Sequence, residues 1–189
     1  SVNKHASIVY WLGENLYLNI TNKCSNNCYF CLRNYRDDIN GFNLKLTNEP
    51  TPERVLAKIQ GVINKRHWKE VVFCGFGEPL EDWIVLEVTR QIKKNYAISV
   101  RVDTNGQGQL LSKDRDVIKG LKEAGVDKIS VSLNAHNKQT YNLVCKPYFK
   151  DAFPEVLRFI KRATERLDTE ITAVTIPEVN IWKVREIAT

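Results

Sequence analysis

The chain has 189 residues, 43% of them hydrophobic and 26% charged, which suits one globular domain with a sizeable core and excludes a disordered chain. The net charge of +6 is spread out, with nine basic and five acidic residues in 1–66, twelve and ten in 67–149, and seven and seven in 150–189. That pattern lacks the basic block of a nucleic-acid arm, so a nucleic-acid or phosphorylated substrate is compatible with the charge but not indicated by it.

No apolar run approaches the roughly 20 residues of a membrane span. The first nine residues are too short and polar for a signal peptide. They are read as an N-terminal extension, its Ser-Val-Asn partly vector-derived, before a single domain over 10–189. Five cysteines, an odd number with three of them clustered, argue against a disulfide framework and for a reducing, cytoplasmic setting. The chain contains no methionine.

Taken in order, strand and helix patterns alternate. Residues 16–21, LYLNIT, alternate apolar and polar side chains as a strand does. Residues 52–66 place Val55, Leu56, Ile59, Val62 and Ile63 on one helical face behind a Thr51 cap and Pro52. A buried strand over 70–76 and a helix over 82–95 follow. Next come a strand over 97–106, a helix over 113–125 with Gly125 past its end, and a strand over 127–135. A helix over 151–167, a strand over 170–177 and a helix from 180 complete the pattern. Such alternation predicts a parallel sheet with right-handed crossovers. Five to six βα units make an α/β fold of the partial, open barrel kind, with ligands at the carboxyl ends of the strands.

At the first strand end stand Cys24, Cys28 and Cys31, within the stretch NKCSNNCYFCLRN. A closed structural zinc site needs four ligands, and His5, His67 and His136 are all distant in sequence. An iron–sulfur cube normally has four cysteine ligands; three leave one iron open to a small molecule. At the second strand end, Gly75 and Gly77 of CGFGEPL allow close approach to the backbone, and Glu78 follows as an acceptor. Asp103, Thr104 and Asn105 stand at the third, Ser132 and Asn134 at the fourth, Thr175 and Ile176 at the fifth. Cys74 reads as a small buried hydrophobe. Cys145, beside Lys146 and Tyr148, is a candidate catalytic thiol facing the substrate cavity. Arg33, Asn34 and Arg36 are candidates for substrate or electron-donor contact.

The three-then-two cysteine spacing, with Phe30 before Cys31, resembles the signature of the radical S-adenosylmethionine superfamily. GFGEP is similar to its GGE motif, with Phe76 replacing one glycine. The resemblance implies a [4Fe–4S] cluster on Cys24, Cys28 and Cys31, its fourth iron holding S-adenosylmethionine. It further implies that Gly75, Phe76, Gly77 and Glu78 hold the methionine amino group, that Phe30 and Ile176 flank the adenine, and that Ser132 and Asn134 reach the ribose or carboxylate. Reductive cleavage would yield a 5′-deoxyadenosyl radical, with electrons from a protein such as flavodoxin or ferredoxin. The wording ITNKCSNNCYFCLRN, DDINGFNLKL and YNLVCKP most resembles the small TatD-linked radical proteins, which implies a functional link to a TatD-type hydrolase. DTNG also resembles activating enzymes of glycyl-radical enzymes, where Asp and Thr lie near the methionine carboxylate. An activase and a non-catalytic iron–sulfur electron-transfer or sensor protein are the alternatives.

Overall fold

A computed structural model describes residues 5–189; the Ser-Val-Asn start lies outside them. One sheet of six strands runs β1 (Val9–Leu12), β2 (Asn15–Leu18), β5 (Glu70–Phe73), β6 (Ser99–Thr104), β7 (Lys128–Ser132) and β8 (Asp168–Thr172) from edge to edge. Every neighbouring pair from β2 onward is parallel, and β1 is antiparallel to β2. The fold is α/β, a partial, open βα barrel. A separate small hairpin joins β3 (Asp38–Ile39) to β4 (Phe42–Asn43), turning through Asn40 and Gly41, both at positive φ.

The helices are α1 (Pro52–Gln60), α2 (Ile84–Asn95), α3 (Gly108–Leu111), α4 (Val117–Ala124), α5 (Lys138–Cys145), α6 (Ala152–Arg166) and α7 (Ile181–Ala188). Side-chain caps set several of their starts: Thr51, Asp116, Asn137 and Asn180 each accept the backbone N–H three residues on. α1 packs on α2, α2 on α4, and α4 on α6, so the helices line one side of the sheet.

The period of two divides each strand between two environments. Leu16, Leu18, Val71, Phe73, Val100, Val102, Ile129 and Val131 share the face that forms the core with Val55, Ile59, Val88, Ile92, Leu121 and Val156. The strand register puts Tyr17, Val72, Arg101, Asp103, Ser130 and Glu170 on the opposite, inner face. That face is polar. Arg101 lies between Glu70 at 2.6 Å and Asp103 at 2.9 Å, and Tyr10 stacks on Tyr17.

Several expectations need correction. β1 is an additional strand, and the boundary drawn before Tyr10 falls inside it, with Ile8 already in the core. β2 covers 15–18, and the chain leaves the sheet at Asn19, whose amide donates to the carbonyls of Ser7 and Leu44. α1 stops at Gln60, not at 66. β8 ends at Thr172, because the N–H of Val174 goes to the Asn134 side chain and not to a neighbouring strand.

Candidate iron–sulfur and cofactor site

The carboxyl ends of β2, β5, β6, β7 and β8 gather all the strand-end residues singled out above. The loop leaving β2 carries the three cysteines and is fixed from two directions. On one side it meets the β5 turn: the Phe76 N–H donates to Asn19 Oδ1 at 2.9 Å, and the Glu78 N–H to the Lys23 carbonyl at 2.7 Å. Gly75 and Gly77 permit this contact. A Cβ at Gly75 would stand 2.2 Å from Asn19 Oδ1, and one at Gly77 would stand 2.4 Å from the Lys23 carbonyl. Among the described residues, no hydrogen bond ends on the carbonyls of Gly75, Phe76 or Gly77. Carbonyl oxygens left without a hydrogen bond on these half-buried residues suit an ammonium group.

On the other side the loop meets α5. The Asn27 N–H donates to the Cys145 carbonyl, the Tyr29 N–H to the Val144 carbonyl, and the Tyr148 N–H to the Ser25 carbonyl. Beneath them runs a buried polar network that the sequence reading missed. Gln107 Nε2 donates to Asn26 Oδ1 at 2.7 Å and to the Tyr141 hydroxyl at 2.8 Å, and Asn26 Nδ2 donates to the same hydroxyl at 3.1 Å. The only signal for it in the sequence is the position of Gln107, two residues past Asn105 in a glycine-flanked turn.

Glu78 is 4% exposed and turned into the protein. Its carboxylate accepts Thr104 Oγ1 at 2.5 Å, the Asn105 N–H at 2.7 Å and the Leu80 N–H at 3.2 Å. Burial pushes this carboxyl up to about 7, against the opposing pull of the three donors. The Glu78 carboxylate is therefore a strut joining the β5 and β6 turns.

The other expected site residues fall as follows. Asp103 is paired with Arg101, and burial raises its pKa against that pairing. Asn105 donates to Ser25 Oγ at 2.9 Å and points its amide at Cys24 Sγ, 3.8 Å away. Ser132 is half-buried beside Thr172; Asn134, at φ 61, holds the Val174 N–H. Phe30 and Ile176 pack against the core rim, Phe30 edge-on to Tyr29, while Thr175 is exposed. Arg33 Nη1 donates to the Asn22 carbonyl, Asn34 to the Cys28 carbonyl, and Arg36 pairs with Asp38. Cys74 lies just past β5, its carbonyl accepting the Tyr10 hydroxyl.

Cys145 does not face a substrate cavity. It is fully buried on the inward side of α5 with Tyr141 and Val144, and its carbonyl accepts the Asn27 N–H of the cysteine loop.

The three clustered cysteines are half-buried and free of disulfides. Burial pushes the Cys24 thiol up to about 12, and the Cys145 contact followed by burial raises that of Cys28. Among the described residues, no three Cys, His, Asp or Glu side chains converge as a metal site. The structure thus gathers the loop but not the three sulfurs. The donor chemistry still fits a cluster: three thiols on one short loop, beside a row of open carbonyls at the same sheet end.

Comparison with known proteins agrees with this geometry. Residues 18–189 match the Radical SAM superfamily. A probable GTP 3′,8-cyclase of Pyrococcus horikoshii is 28% identical over 178 residues, 92% of this chain and 52% of that protein. Its counterpart in Methanocaldococcus jannaschii is 29% identical over 163 residues, covering 86% and 48%. The chain thus spans about half the length of these curated relatives. Among solved structures, TYW1 with a lysine-pyruvate adduct bound superposes with a TM-score of 0.63 at 19% identity, over 93% of this chain and 60% of that one. The hydrogenase maturase HydG gives 0.61 at 21% identity, over 92% and 37%. Proteins of this superfamily use a [4Fe–4S] cluster and S-adenosylmethionine, and with 172 matched positions, 18 through 189, the chain belongs to the Radical SAM superfamily.

Proposed function

We propose that the chain binds a [4Fe–4S] cluster through Cys24, Cys28 and Cys31, and that it cleaves S-adenosylmethionine reductively to act on a substrate held over the polar inner face of the barrel. The observation that carries this reading is the three-thiol loop locked against the open carbonyls of Gly75, Phe76 and Gly77. The cluster would supply the electron for that cleavage, the source of a hydrogen-abstracting radical.

The chain's own residues do the rest. The 75–77 carbonyls accept from the methionine ammonium. Glu78, Thr104 and Asn105 keep the two turns in register. Phe30 and Ile176 present apolar edges to the adenine, and Ser132 and Asn134 lie where the ribose would reach. Asp103 contributes through Arg101. The glycyl-radical activase alternative loses its motif support here, since Asp103 and Thr104 are held by Arg101 and Glu78.

GTP is the first substrate to try, because of the named cyclase relatives. Arg101, held by two carboxylates, is a poor anchor for its phosphates. A functional link to a TatD-type hydrolase, and flavodoxin or ferredoxin as electron donor, belong to the same proposal and rest on the wording of the cysteine loop and its neighbours alone.

The test is anaerobic reconstitution. Iron and sulfide should match one [4Fe–4S] cluster per chain. S-adenosylmethionine should change the paramagnetic resonance signal of the reduced cluster. Alanine at Cys24, Cys28 or Cys31 should abolish both. A full cluster whose signal ignores S-adenosylmethionine would refute the reading.

A further inference from the structure

The cysteine loop and the end of α5 meet in a surface whose charge differs from that of the rest of the chain. Residues 22–36 and 137–150 carry six basic side chains, three in each, and no acidic one, whereas the whole chain has 28 basic and 22 acidic residues. Backbone bonds join the two segments: the Asn27 N–H donates to the Cys145 carbonyl at 2.9 Å and the Tyr148 N–H to the Ser25 carbonyl at 2.8 Å. Folding thus unites two basic segments in one patch. Flanking carboxylates answer three of its cations, Glu49 pairing with Lys23, Asp38 with Arg36 and Asp151 with Lys138. Glu178 borders the patch, its carboxylate taken up by the Tyr29 hydroxyl at 2.6 Å. Among the described residues, Arg33, Lys146 and Lys150 have no ion-pair partner.

The same segments expose apolar surface. Leu32, Tyr35, Leu143 and Tyr148 are four of the eight large hydrophobic side chains exposed among the described residues, Tyr35 at 70% and Tyr148 at 85%. Both tyrosines border the cysteine loop, since the Tyr35 hydroxyl donates to the Tyr29 carbonyl at 2.5 Å and Tyr148 is held by Ser25. Exposed aromatic rings among cations are the composition of a protein-binding surface. Lys146 adds a backbone observation. It caps α5 at φ 45, the left-handed conformation that favours glycine. A lysine costs stability there, so stability does not account for it.

We infer that this surface docks an acidic electron-donor protein of the flavodoxin or ferredoxin kind, drawn by the unpaired cations and packed on Tyr35 and Tyr148. Charge complementarity selects an acidic partner. Electron-transfer encounters use small interfaces, which suits a patch built from two short segments. Three unpaired cations are few for a nucleic-acid backbone, and the exposed Leu32 and Leu143 suit a protein face and not phosphates. The inference rests on the reading proposed above, since it takes the cysteine loop as the place to which electrons are delivered.

The test is surface plasmon resonance with the full chain, before any cluster is reconstituted, against an acidic flavodoxin and an acidic ferredoxin. At least one should bind, with affinity falling as salt is raised. Lys146→Glu combined with Lys150→Glu should lower the association rate about tenfold and flatten the salt dependence. Tyr148→Ala should weaken binding about tenfold, mostly through faster dissociation. Lys146→Gly should weaken binding while raising the thermal midpoint, which separates lost docking from lost folding. Binding of neither protein, or binding that ignores these variants, would overturn the inference. A single-stranded RNA that binds more tightly than both proteins, and loses affinity in the same variants, would also overturn it. A chain that docks a donor in this way yet takes up no [4Fe–4S] cluster would overturn the reading above and leave the docking surface standing.

Discussion

Glu78 is a motif residue whose carboxylate is taken up by the protein's own donors, Thr104, Asn105 and Leu80. Its carboxyl has an ordinary value of 4.5 and is pushed up to about 7 by burial. Between those values the folded chain keeps a proton that the unfolded chain has released. Stability therefore falls as pH rises through that window and levels off above it. In the cluster-free chain the urea midpoint should drop from about pH 5 to about pH 7. Glu78→Gln should flatten that drop, and an unchanged slope would contradict the account. Gly77 makes a steric argument at the same scale. Alanine there drives a Cβ to 2.4 Å from the Lys23 carbonyl and 2.6 Å from that of Thr21. Gly77→Ala should lose about 1–3 kcal/mol by thermal denaturation. Gly61→Ala, where the nearest atom is 3.5 Å away and φ is −67°, should be neutral or slightly stabilising. The cysteine triad was legible in the sequence because three thiols in eight positions have few other uses. Gln107 and Tyr141 were not, because a lone amide and a lone phenol carry no spacing signal, and only the fold brings them under the loop.

Among the elements, periodicity marked the helix and strand centres and failed at their ends. β8 stops where a side chain takes over a backbone partner, Asn134 Oδ1 accepting the Val174 N–H at 2.9 Å. No alternation of apolar and polar residues reports such a substitution. Asn134→Ala should cost about 1 kcal/mol and speed amide exchange at Val174, with little change in the β7–β8 ladder. Exchange at Val174 as slow as in the wild type would show that the chain closes this gap another way. β1 escaped notice although Gly13, at φ 58, separates two short apolar runs, because a four-residue edge strand fits no βα unit. α5 escaped as a full helix for a related reason: eight residues present only Tyr141, Val144 and Cys145 inward. Its C-terminus is nonetheless the element that holds the cysteine loop, which is why Cys145 was misplaced as a cavity residue.

At the scale of the molecule, one apolar face beneath the helices and one polar inner face explain both the fold and where chemistry can occur. The βα alternation was enough to expect an open parallel barrel, and its strand ends to expect the site. The substrate was not legible, since the inner face is built from residues on several strands whose pairing, Arg101 with Glu70 and Asp103 above all, exists only after folding. The central claim is reductive cleavage of S-adenosylmethionine by a cluster on Cys24, Cys28 and Cys31. The most direct measurement is chromatographic quantification of 5′-deoxyadenosine from reconstituted protein under anaerobic conditions with dithionite and S-adenosylmethionine. The account predicts production by the wild type and none by Cys28→Ala. Wild type that carries an intact cluster yet yields no 5′-deoxyadenosine would contradict it and favour an electron-transfer or sensor protein.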